Sequence, residues 1–245
     1  MWHLDFKSCP ADPDVWMRPA LKDNGEEYYE YVLLYTDDAL SIGMNAENVL
    51  RKEIGRYFDL KEESVGPPTI YLGCNVRQVE LDTGVRCWAF SSSQYVKAAV
   101  QNVASYLRER HQKGDTKFVL PSKVTTPIQT TYRPELDTSP ELGPIDSAYY
   151  QSLVGILRWM VEIGRVDICL ELSMLSSHMA MPREGHLTQL IHIFGYLNCH
   201  HNTELVFDPT PRDIDMSGFE ARDWTTSEFG HLEGKEELPP SMPQP

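Results

Sequence analysis

Asp37 and Asp38 are adjacent carboxylates set between two apolar runs, Tyr31 to Tyr35 and Ala39 to Ile42. Neighbouring negative charges repel, and a divalent cation neutralises them while keeping both ionised. Ligands made only of oxygen suit Mg²⁺, which one or two carboxylates hold together with substrate phosphates. A plain solvent-exposed turn is the commoner fate of an Asp-Asp pair, because Asp is a frequent turn residue. The other metal-ligating side chains make a weaker case. His186 and His192 would point in different directions from one helix, and Cys199-His200-His201 lacks a second half-site at suitable spacing, so no zinc is expected.

The elements that must position these acids follow from pattern. The runs flanking Asp37 and Asp38 are too short for stable helices and rich in strand-formers, which predicts a β-hairpin with the acids at its turn. Asn24-Gly25 supplies the preceding turn. Asn45 reads as the N-cap of a helix to about Phe58, with Val49, Leu50, Ile54 and Tyr57 on its apolar face. Gly66-Pro67-Pro68 breaks the chain before a strand over 69–76, and a second strand, Val85 to Phe90, pairs back across Asp82-Thr83-Gly84. Ser91 to Ser93 cap a helix to about His111 whose buried face is Val96, Ala99, Val100, Val103 and Leu107.

Residues 114–146 are rich in Pro, Thr, Ser and Asp and read as a long connector. Helices are expected from Asp146 through Trp159, at 167–180 and at 185–199. Short strands are expected at Leu205 to Phe207 and Ile214 to Phe219, before an acidic, Pro-rich tail that is expected to be disordered.

At 245 residues, with 41% hydrophobic and 24% charged side chains, the chain can bury a sizeable core. No apolar run approaches the length needed to cross a bilayer, and the first residues lack the zones of a signal peptide. No membrane partner is expected, and the expected location is intracellular, cytoplasmic with a nuclear one as the alternative. Five scattered cysteines without a Cys-x-x-Cys pair exclude a disulfide framework as an expectation. A net charge of −14 and a pI near 4.9 argue against indiscriminate nucleic-acid binding, so any template contact must be local.

Tyr35-Thr36-Asp37-Asp38 resembles the Tyr-x-Asp-Asp box of reverse transcriptases, and the flank through Gly43 resembles copia-type retrotransposon polymerases more narrowly. Further motifs follow in the order of that family. Phe6-Lys7-Ser8 and Asp12-Pro13-Asp14-Val15-Trp16 precede the box. Tyr71-Leu72-Gly73 resembles a Phe-Leu-Gly primer grip. Tyr150-Gln151-Ser152-Leu153-Val154-Gly155-Ile156-Leu157-Arg158-Trp159 resembles the signature Tyr-Arg-x-Leu-Val-Gly-x-Leu-x-Tyr, and Arg165-Val166-Asp167-Ile168 resembles Arg-Pro-Asp-Ile. Residues 218–224 resemble the opening of the family's RNase H domain, with Ala221 where a catalytic Asp would stand.

The resemblance implies an α+β fold: an antiparallel palm hairpin and sheet with packed helices, followed by an α-helical thumb and connection region. The implied divisions are a partial palm over 1–90, a thumb-like helix over 91–113, a connector over 114–146, connection helices over 147–203, a degenerate RNase H start over 204–230 and a tail over 231–245. It implies Asp37 and Asp38 as catalytic ligands of Mg²⁺, Tyr71, Leu72 and Gly73 as primer grip, and Lys61 as a proton donor, where the residue pattern alone gives a solvated helix-end lysine. Lys97, Arg108, Arg110 and Lys113 would follow duplex phosphates, with an RNA or DNA primer-template and deoxynucleoside triphosphates as partners. The family's first catalytic Asp lies on a strand before the point where Met1 stands. The expectation is therefore a fragment of a copia-type polyprotein, a reverse transcriptase relative inactive as this chain alone. The alternative is a non-catalytic nucleic-acid or protein-binding remnant.

Overall fold

Alternation of buried and half-buried positions marks the third strand: Tyr28, Glu30 and Val32 are buried while Tyr29, Tyr31 and Leu33 between and after them are half-buried. It belongs to an antiparallel sheet of order β1 (Lys7–Ser8), β2 (Val15–Leu21), β3 (Glu27–Tyr35) and β4 (Asp38–Ile42). The computed structural model describes residues 1–61, 63, 65–210, 217–218, 226–227 and 230–231. These include two antiparallel four-stranded sheets and five α-helices, an α+β architecture. The chain divides into two compact units. The first is built on Met1–Leu34 and Ser41–Asp59, the second on Tyr35–Leu40 and Leu60–Asp208.

In the first unit, β2 and β3 pair from Val15↔Leu33 to Leu21↔Glu27 around the expected Asn24-Gly25 turn. Glu30 is buried, and its charge is met by Arg18 at 2.7 Å and by the Tyr28 hydroxyl, which donates at 3.1 Å. Arg18 also binds Glu53 at 2.6 Å and lies 4.4 Å over the fully buried Phe6 ring. A buried carboxylate is tolerated only when so paired. The helix expected from Asn45 changes hydrogen-bond register as it goes. α1 (Ala46–Asn48) passes into a π-type stretch, Val49–Glu53, and a 3-10 turn, Ile54–Arg56. Val49 and Ile54 are buried as expected, but Tyr57 is exposed because the tightened last turn rotates it off that face, and Asn45 makes no side-chain cap bond.

In the second unit the strand expected over 69–76 is instead a hairpin. β5 (Ile70–Tyr71) reverses over Leu72-Gly73 into β6 (Cys74–Glu80), with Tyr71 opposite Cys74. Both turn residues have positive φ, 49° and 77°, the type I′ geometry whose twist matches the flanking strands. β6 pairs with β7 (Arg86–Ser91), and β7 with β8 (Glu204–Phe207). β9 (Thr226–Ser227) and β10 (Gly230–His231) form a separate pair.

α2 (Ser93–Gln112) buries the five predicted residues, Val96, Ala99, Val100, Val103 and Leu107. Its Ser92 cap makes no side-chain bond; the Ser91 hydroxyl accepts from the Ser93 amide at 3.4 Å. α3 (Pro144–Glu162) starts two residues earlier than expected, with Pro144 at the first helical position, where a missing N–H costs nothing. It packs Tyr150, Leu153, Val154, Leu157 and Met160 against α4 (Cys169–Ser176) and α5 (Glu184–Cys199) in one core. Burying each such leucine contributes about 1.5–3 kcal/mol.

The connector lies along α5, held by a row of side chains that answer its backbone. The His186, His192 and His200 Nε2 atoms donate to the carbonyls of Pro134 (3.1 Å), Thr126 (3.1 Å) and Val124 (3.3 Å). Gln189 exchanges bonds with Gln129, accepting from its amide at 3.2 Å and donating to its side chain at 3.1 Å. The expected strand over 214–219 and the residues 219–224 lie outside the described residues, apart from Ser217 and Gly218, which form a turn.

Candidate functional site

β3 ends at Tyr35 and β4 begins at Asp38, so Thr36-Asp37 is a two-residue hairpin turn and Asp38 opens the returning strand. Both acids are exposed. Thr36 sits at φ 54°. A β-branched residue rarely enters this left-handed region, because its Cβ crowds the following carbonyl oxygen, at about 1–2 kcal/mol. Such a conformation persists where the surroundings over-determine it.

A neighbour in the second unit packs against the residue that precedes Thr36. The Tyr35 ring lies against Trp159 of α3, with centroids 5.8 Å apart and planes inclined by 36°. In the same unit the Tyr71 phenol is raised above its ordinary value, first by burial and then by the charge of Asp38. Leu72, like Thr36, is a non-glycine residue held at positive φ.

The remaining candidates are placed differently. Lys61 is exposed in the irregular stretch before β5. Lys97, Arg108 and Lys113 are exposed on α2 or at its end. Arg110 is engaged within the chain: its guanidinium donates to Asp115 at 2.8 Å and pairs with Asp146, and it lies over the rings of Tyr106 and Phe118. Its charge is already matched by carboxylates, unlike a phosphate-binding arginine waiting for a ligand.

Among the described residues, no group of three or more His, Cys, Asp or Glu could hold a metal ion. Asp37 and Asp38 are adjacent, exposed oxygen donors. Two carboxylates are what one Mg²⁺ takes alongside water and phosphate, and they do not make a complete two-metal centre.

Two residues of the locus escape a reading of the sequence alone. Trp159 occupies the last aromatic position of the Leu-Val-Gly run, which marks it as part of a helix but carries no hint that it meets Tyr35. Thr36 shows its strain only in its dihedral angle.

Over 169 residues the chain is 25% identical to a Saccharomyces cerevisiae protein named for transposon Ty5-1, covering 68% of this chain and 48% of that protein. The similarity points to a retrotransposon-derived chain. The chain thus spans about half the length of the transposon protein it matches. No family model matches the chain. No solved structure matches it either.

Proposed function

We propose that this chain is part of a copia-type reverse transcriptase, with the β2–β4 sheet as the end of the palm and α2 as a thumb helix. The observation that carries the reading is the strained Thr36-Asp37 turn, with two exposed carboxylates, in the same compact unit as the Tyr71-Leu72-Gly73 hairpin. The similarity to a transposon protein supports it. In this reading Asp37 and Asp38 hold one Mg²⁺ together with the phosphates of an incoming nucleotide, and the hairpin at Leu72-Gly73 offers its backbone to the primer strand. Bound there, the ion would neutralise phosphate charge as it develops during transfer. In-line phosphoryl transfer with two metals needs a further carboxylate, and among the described residues none joins the pair.

The chain by itself is therefore expected to bind Mn²⁺, as a paramagnetic stand-in for Mg²⁺, without extending a primer. Water-proton relaxation should report Mn²⁺ binding that falls at least about tenfold in Asp37→Asn and in Asp38→Asn, the loss expected when one of two carboxylate ligands is removed. Extension of a primed homopolymer template by the purified chain, abolished by Asp37→Asn, would overturn the inactivity; unchanged Mn²⁺ binding in both variants would overturn the site.

A second reading, a binding remnant, is favoured by one observation: Lys97, Arg108 and Lys113 remain exposed along α2 while Arg110 is engaged. Three phosphate contacts predict a log–log salt slope near −3 for duplex binding. A flat salt response would remove this reading.

A further inference from the structure

We propose that Trp159 is a positioning residue for the acid turn: from α3 its ring holds the Tyr35 ring, and with it the left-handed Thr36 that aims Asp37 and Asp38. The consequence for a metal rests on the function proposed above; the clamp itself does not.

The turn residues Tyr35–Leu40 belong to the second compact unit, together with α3 and the β5–β6 hairpin. Something in that unit must therefore retain them, and among the described residues Tyr35 meets Trp159 with ring centroids 5.8 Å apart. Trp159 is well suited to the task because its backbone cannot drift. Leu157 and Met160, its near neighbours on α3, are fully buried, and its own carbonyl accepts the Ile163 amide at 3.0 Å. The ring is thus presented by a rigid element, as a residue that fixes another must be.

Thr36 gives the clamp its purpose. A left-handed threonine would relax toward negative φ if one end of the turn were released, and relaxation would re-aim both carboxylates. Tyr35 is adjacent to Thr36, so fixing its side chain limits the rotation available to the turn. Tyr35 remains partly exposed, at 45%, so the contact covers only part of the ring.

The test is hydrogen–deuterium exchange of the Tyr35–Leu40 segment in the full chain. Trp159→Ala should speed exchange there roughly two- to tenfold, the loss expected for one aromatic pair, while α2 exchange stays unchanged. Trp159→Phe should restore most of the protection. Tyr35→Ala should give a similar rise, and the double variant should add little to either single change, because both remove the same contact. Mn²⁺ affinity should weaken by a similar factor in Trp159→Ala and recover in Trp159→Phe.

Exchange unchanged in Trp159→Ala, or additive effects in the double variant, would overturn the clamp. Should Trp159→Ala fail to fold, Tyr35→Ala and Trp159→Phe carry the same test, and unchanged exchange in Tyr35→Ala would overturn it equally. Coupled exchange with no Mn²⁺ binding in the wild type would uphold the clamp and remove the metal reading instead.

Discussion

Thr36 holds the least favourable backbone conformation near the candidate site, and its side chain makes that cost measurable. Asn tolerates the left-handed region better than a β-branched residue, since its short polar side chain can bond the local backbone. Thr36→Asn should therefore raise stability by up to about 1 kcal/mol, whereas Thr36→Val should bring no such gain. Chemical denaturation of the three proteins checks the order. An Asn variant no more stable than the Val variant would mean that φ at this position is not strained. Both variants leave Asp37 and Asp38 in place, so Mn²⁺ binding can be followed alongside.

At the scale of elements, the connector and α5 depend on an unusually close approach. A Cβ on Gly195 would lie 2.6 Å from the Pro121 Cγ and 2.8 Å from the Pro121 carbonyl oxygen. Replacing a helical glycine by alanine ordinarily gains about 1 kcal/mol. Here overpacking costs about 1–3 kcal/mol, so Gly195→Ala should be net destabilising. Gly155 of α3 is the internal control, because nothing lies within 4 Å of a Cβ built there. Gly155→Ala should stabilise by up to about 1 kcal/mol. Opposite shifts in the urea midpoints of the two variants are expected, and a stabilising Gly195→Ala would show that the connector does not lie on α5 as described. The histidines of this helix have a settled task as well. His186 accepts the Arg183 amide through Nδ1 at 3.0 Å, which leaves the proton on Nε2 for the Pro134 carbonyl.

At the scale of the molecule, acid sensitivity follows from carboxylates held below their ordinary value. Burial alone would raise Asp137, but bonds from Ser139 and Tyr132 outweigh it and lower the carboxyl below 3.8. Burial likewise opposes Asp167, and Arg165 with Tyr196 lowers it below 3.8. Each group stabilises the fold fully above its ordinary carboxyl value, and that contribution is lost as pH falls through the lower folded value. Melting temperature should therefore decline as pH drops below about 4, and Asp137→Asn should flatten part of the decline. An unaltered acid limb in both Asp137→Asn and Asp167→Asn would contradict the assignment. No helix among the described residues is long and apolar enough to cross a membrane.

Local pattern alone determined a good deal of this protein. The buried stripe of α2 and the turns at Asn24-Gly25 and Asp82-Thr83-Gly84 were legible because periodicity and turn chemistry act over a few residues. So was the hairpin that carries Asp37 and Asp38. The tertiary structure decided what depends on residues distant in sequence. A strand over 69–76 and a hairpin over Leu72-Gly73 share one apolar pattern, and what distinguishes them is the pairing of Ile70 with Asn75 and of Tyr71 with Cys74, in a sheet that β7 continues. The pairing of Arg110 with Asp115 and with Asp146, the latter at the start of another helix, was likewise settled by the tertiary structure. Trp159 met Tyr35 across more than a hundred residues, a contact that no local spacing encodes, because burial and ring packing are settled by the whole core at once.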